Sequence, residues 1–298
     1  MTHHTEPTPL WLRILQFPPI RLVLLGVPLF LCMGLGSTFL DKFEASPVMA
    51  IAAVAGMIAL AMWVYVGFAR FIERREPSDL ALSPGLRELG IGLLIGSGLY
   101  TAGVLVLMVL GFARIEGMSP VSIMIPAIAM AISSGFLEEL LFRGALFRIV
   151  EEWLGSWASV IISSVVFGFV HLMNPAATLT GAIFISIEAG LLLAAAYMLT
   201  RRLWLGIGFH ISWNYTQSAV FGGVVSGGVA EPGLFKTVFT GPDLITGGSF
   251  GLEASLIPCL LATTTGVWLA VRAVRAGHVV LPFWSRAKDM PALQPASA

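Results

Sequence analysis

Glu138, Glu139 and Arg143 lie in one apolar stretch of this chain, His171 in the next, and His210 with Asn214 further on. Carboxyl and imidazole groups are the side chains that exchange protons near neutral pH, and a carboxamide donates hydrogen bonds without carrying charge. Grouped together, they could carry out acid–base chemistry on a bound molecule or relay protons across a membrane. They could equally hold a divalent metal, since two imidazoles and a carboxylate with one open position form a catalytic zinc set. Each charge at the bilayer centre costs about 2.5–3.5 kcal/mol on insertion scales, so several approach the roughly 5–15 kcal/mol net stability of a domain. Such residues must neutralise one another or serve chemistry.

Their spacing narrows the options. Glu138 and Glu139 are consecutive and project about 100° apart on a helix, whereas Arg143 follows Glu139 by four residues and shares its face. Glu139 should therefore pair with Arg143, which leaves Glu138 free to act. The competing structural interpretation is a helix end from which Glu and Arg snorkel into water. Apolar sequence continues through Leu146 and Phe147, which argues against that. Of the five histidines, His3, His4 and His278 lie in the tails, and His171 and His210 fall inside apolar spans. Asn214 is one turn beyond His210 on the same face. A lone histidine at such a depth is often only an interhelical hydrogen-bond partner. At 1.5 Å per residue, His171 stands about 20 Å and His210 about 10 Å above the cytoplasmic starts of their spans, with Glu138 about 14 Å from Arg148. Helix tilt must bring the three to one level if they work together.

The elements that position them are transmembrane helices. With 57% hydrophobic and 11% charged residues in 298, the chain lacks the polar surface to coat a soluble globule. Its apolar runs are about 20 residues long and do not alternate as barrel strands would. The expected fold is all-α, a polytopic helical bundle of about eight spans: Leu22–Leu40, Val48–Ala69, Leu89–Ala113, Val121–Phe147, Trp157–Met173, Leu179–Leu199, Leu203–Phe221 and Gly251–Val274. Of the 17 Lys and Arg residues, all but Lys42, Arg114 and Lys236 fall on one alternating set of loops and adjoining helix ends, and leaving out Arg143 and Arg148 as helical keeps the asymmetry. This bias places both termini in the cytoplasm of a multi-pass cell-membrane protein. The polar start, MTHHTEPTPLW, has no cleavage pattern and is expected to precede a retained anchor. Arg70–Glu88, with Pro77 and Pro84, is expected to be a cytoplasmic connector and hinge. Cys32 and Cys259 are isolated and suggest neither a disulfide nor a thiolate metal site. Dispersed basic residues and zero net charge give no nucleic-acid footprint. The Gly92-x-x-x-Gly96 pair should permit close helix contact.

Glu138-Glu139-x-x-x-Arg143, Phe167-x-x-x-His171 and His210-x-x-x-Asn214, in that order on three helices, resemble the signature of the CPBP intramembrane proteases. That group contains the eukaryotic CAAX prenyl endopeptidase and the bacterial Abi proteins. The resemblance runs from about Ser133 to Gln217. It implies a catalytic helical core at 120–222, preceded by a cytoplasmic tail (1–20) and by N-terminal helices with their connector (21–113). An extracytoplasmic loop (223–250) and a last helix with its tail (251–298) follow. It also implies an endopeptidase that cleaves a membrane-associated peptide or protein in the lipid bilayer. On that resemblance Glu138 activates the attacking water, His171 helps to bind it, and His210 with Asn214 stabilise the oxyanion. Glu139 and Arg143 would support Glu138, and Phe167 would pack beneath His171. A general base and donors aimed at developing negative charge are what amide hydrolysis needs.

Zinc or another divalent metal on His171, His210 and Glu138 is a competing arrangement, although the H-E-x-x-H helix and the G-x-S-G serine motif are both absent. Glu188, mid-span in the sixth helix, could line the water path, pair with a site histidine, or be satisfied by Ser186 or backbone carbonyls. Two other classes would use the same residues: a transporter or proton-coupled carrier, and a non-catalytic scaffold or immunity protein. A carrier should show two similar halves with broken helices, whereas these polar residues are confined to spans four to seven.

Overall fold

The computed structural model describes residues 9–43 and 45–286. His3, His4 and Lys288 lie outside the described residues. The described chain is almost wholly helical, in the order α1 (Leu10–Leu15), α2 (Pro18–Lys42), α3 (Pro47–Phe68), α4 (Leu82–Val109), α5 (Pro126–Glu139) and α6 (Arg148–Leu154). Then come α7 (Ser156–Val170), α8 (Leu179–Ile185), α9 (Leu191–Thr200), α10 (Trp204–Tyr215), α11 (Asp243–Thr246) and α12 (Leu256–Arg275). Prolines open α2, α3 and α5, where the missing N–H costs nothing and the fixed φ suits a first turn. Gly155, at φ 83°, separates α6 from α7 in a conformation that an L side chain resists.

Among the described residues, seven helical stretches are long and apolar enough to cross a membrane, including the continuous run Val121–Leu154. The eighth expected span is a 12-residue helix, α10, continued by five residues of π-helix to Val220. It is short because it is a buried central element: α10 packs against α4 on one side and α5 on the other. A Cβ on Gly92 or Gly96 of α4 would collide with the Leu205 and Phe209 carbonyls, so this pair does bring two helix backbones together. Gly135 of α5 likewise faces the backbone of Ile211.

Two features depart from the sequence expectations. The loop after α10 is partly ordered as a strand: β2 (Phe235–Phe239) pairs antiparallel with β1 (Ala113–Met118), which follows α4. This two-stranded ribbon escaped a search for spans because each strand is short. The connector between α3 and α4 is not hinge-like. Helix α3 continues as π-helix to Glu73, and α4 already starts at Leu82. Glu73 accepts from Arg21, from Arg148 at 2.9 Å and from Arg75 at 2.7 Å, and Arg75 also reaches Asp79 at 2.7 Å. Tyr65 donates to Asp79 as well. Burial works against the Arg75 charge, yet Tyr65 and Asp79 beside it hold its guanidinium above the ordinary arginine range. The charges of the connector are thus mutual partners that tie α2, α3, α6 and the connector together.

Candidate active site

The site lies where α5, α7 and α10 meet beside the α8–α9 run, and all of these but α7 are continued or joined by π-helix. π-Helix replaces α-helix immediately after Glu139 (Leu140–Phe147), around Glu188 (Ser186–Gly190) and after Tyr215 (Thr216–Val220). A wide turn re-phases the side chains that follow it, and such bulges recur at functional sites. Because α5, the π segment and α6 form one unbroken run, Glu138 and Glu139 sit inside a helix and not at its end.

Glu139 Oε1 accepts from Arg143 Nη1 at 2.8 Å, with both side chains essentially buried. The same oxygen stands 3.2 Å from His210 Nδ1, a second partnership that sequence spacing did not show. Arg143 also donates to the carbonyls of Ala189 and Gly190, each at 3.3 Å, and lies 4.4 Å over the Phe167 ring. Phe167 is in turn edge-on to His171 and His210, with centroids at 5.0 and 5.9 Å. It is the apolar floor on which the cation and both imidazoles rest.

Glu138 is the free carboxylate. Its Oε2 lies 3.9 Å from His171 Nε2 and 3.9 Å from His210 Nε2, and it has no hydrogen-bond partner among the described residues. The remote nitrogen of each ring is engaged: His171 Nδ1 donates to the Phe167 carbonyl at 2.7 Å, and His210 Nδ1 faces Glu139. These contacts fix both ring orientations and leave the Nε2 atoms directed at one spot. The three levels that needed tilt to coincide do coincide. Asn214 lines the adjoining cavity beside His210, and its Nδ2 donates to Ser134 Oγ at 2.9 Å. Ser134 could have been found in the sequence, since it precedes Glu138 by four residues on the same face.

Glu188 is close by, lining the same cavity as His210 and Asn214, but pairs with neither histidine; Ser186 bonds instead to the Ala182 carbonyl. Glu253 also reaches this cavity, from the segment before α12. It stands at the start of the expected last span, Gly251–Val274, but lies 39 positions beyond Asn214 and outside every motif, so spacing does not connect it to the site.

Glu138, His171 and His210 are the residues that could hold a metal. Two ligands about 2.05 Å from one zinc at a tetrahedral angle are about 3.4 Å apart, against 3.9 Å here. Among the described residues no set of three His, Cys, Asp or Glu side chains is gathered closely enough to hold a metal ion. The same separations admit a shared water, since two hydrogen bonds of about 2.8 Å meeting near 90° span about 4 Å.

A family model described as "Type II CAAX prenyl endopeptidase Rce1-like" matches residues 120–216. Over that stretch, about a third of the chain, the sequence is similar to the CAAX protease family. The matched CAAX-type stretch includes every residue of the site from Ser134 to Asn214, with α1 to α4 and α12 outside it. No curated protein matches the chain, and no solved structure does.

Proposed function

We propose that this protein is an intramembrane endopeptidase in which Glu138 activates water to cleave a peptide bond of a membrane-associated peptide or protein. The observation that carries the proposal is the water-sized gap between Glu138 Oε2 and the two imidazole Nε2 atoms. A water there donates one hydrogen to Glu138 and is held by His171. When its oxygen attacks the scissile carbonyl, Glu138 takes the proton, and it later delivers that proton to the departing amine. Charge builds on the carbonyl oxygen, which His210 and the second N–H of Asn214 Nδ2 are placed to receive. Glu139 braces His210 through Nδ1 at 3.2 Å, and Arg143 holds Glu139 in place at 2.8 Å. The similarity of residues 120–216 to the CAAX prenyl endopeptidase family supports the reaction class, and the spacing of the trio favours water over a directly bound metal. The arginine-rich end of the bundle, with its tightly paired Glu73 network, would face the cytoplasm.

The test is cleavage of a membrane-peptide library by the purified protein, before and after exhaustive chelation. Glu138→Gln and His171→Ala should each lose about 10²–10⁴-fold in turnover, with helix content and solute flux unchanged. Turnover by Glu138→Gln within tenfold of the parent protein would overturn the proposal. Stoichiometric zinc that is lost from His171→Ala and His210→Ala, together with chelator-sensitive cleavage, would replace it with a metal mechanism.

A further inference from the structure

The cavity beyond Asn214 contains an arrangement that water activation leaves unused. Glu188 is 1% exposed, and neither of its carboxyl oxygens has a hydrogen-bond partner among the described residues. It shares the cavity with Glu253, Asn214, His210 and Trp213, and the free space is about 10 Å³, room for about one water. The two acids are not equivalent. Glu253 Oε2 accepts from the Ser226 N–H at 2.5 Å, from Ser226 Oγ at 2.9 Å and from Gln217 Nε2 at 3.3 Å. Three donors on one oxygen are the surroundings of a carboxylate. Glu188 has none, and two buried carboxyl groups facing one water-sized space do not both ionise. Glu188 is the member that keeps its proton, which makes it a hydrogen-bond donor.

An acceptor is waiting in the same cavity. Asn214 Oδ1 is buried and lacks a partner among the described residues, while its Nδ2 is engaged with Ser134 Oγ. The Ser134 hydroxyl itself donates to the Met130 carbonyl at 3.1 Å, so towards Asn214 it can only accept. One side of the amide is thereby fixed with nitrogen towards Ser134. We infer that Glu188 fixes the other side, donating through a single buried water to Asn214 Oδ1, and so acts as a positioning residue for the amide that receives the oxyanion. This rests on the endopeptidase reading for its catalytic consequence, although the hydrogen bond itself does not. A half-satisfied amide in a buried site can turn over and present oxygen to the developing negative charge; one anchored on both sides cannot.

Infrared difference spectroscopy and kinetics test the two parts separately. The parent protein should show the carbonyl stretch of a protonated, buried carboxylic acid that is missing from Glu188→Gln, and this band should shift in Asn214→Ala. Glu188→Gln keeps a neutral donor of the same shape and should retain kcat within about threefold. Glu188→Leu, folded by circular dichroism, should lose about 10–100-fold in kcat, the range seen when an outer hydrogen-bond partner is removed, with KM little changed. Absence of the acid band, or a band indifferent to Asn214→Ala, would overturn the inference even if the protein is inactive. So would a Glu188→Gln enzyme as slow as Glu188→Leu, or a loss confined to KM. The expected band in a protein that cleaves nothing would leave the hydrogen bond standing and refute the endopeptidase reading instead.

Discussion

Replacing Glu139 by Gln should unfold this bundle more readily than any exposed substitution, because of what it does to Arg143. That guanidinium is fully buried, and Glu139 is its salt-bridge partner, at 2.8 Å. Removing one member of a buried pair typically costs about 3–5 kcal/mol, mostly because the other charge is stranded. Arg143 would keep the Ala189 and Gly190 carbonyls and the Phe167 face, which places the expected loss near the lower bound, about 3 kcal/mol. That corresponds to roughly a hundredfold change in the folded-to-unfolded ratio. Denaturant titration of the purified protein in detergent, followed by tryptophan fluorescence, measures it. Glu139→Gln combined with Arg143→Met removes both charges and should recover most of the stability, because an apolar replacement of a buried pair is often neutral. Turnover should stay low in the double variant, since His210 Nδ1 still lacks its carboxylate. A Glu139→Gln protein within about 0.5 kcal/mol of the parent would refute the argument, as that is the size of an ordinary surface substitution. A double variant no more stable than the single one would refute it too.

Other substitutions test the supports of the site. Gly96→Leu should force α4 from α10 and destabilise by at least the roughly 1–3 kcal/mol of an overpacked core, whereas Gly98→Leu, with open space at its Cβ, should be near neutral in the same titration. Phe167→Leu removes the ring beneath Arg143 and should cost about 2 kcal/mol, the worth of a desolvated cation–π contact; circular dichroism melts and peptide cleavage should both report it. Glu73→Gln leaves Arg21 and Arg148 with Glu152 as their remaining carboxylate, so a loss of about 3 kcal/mol is expected, at the low end for a broken buried pair. A stability unchanged by Glu73→Gln would mean that the connector network is solvated after all.

Much of the architecture was legible in the linear chain because hydrocarbon imposes simple requirements: a span needs about 20 apolar residues, and an ionisable group within one needs a reason. The i,i+4 pairing of Glu139 with Arg143, the shared face of His210 and Asn214, and the close contact of Gly92 and Gly96 all follow from helix geometry, which is local and therefore written in sequence spacing. Relations between helices were not written there. No spacing rule says that Glu139 braces His210 as well as Arg143, that Arg70–Glu88 is tied down rather than hinged, or that Glu253, 65 positions after Glu188, returns to share a cavity with it. Nor could it place Glu138 Oε2 at 3.9 Å from both imidazoles. Those distances depend on crossing angles, on the π-turns that continue α5 and α10, and on glycines that let backbones touch, and these are settled only when all the helices pack at once.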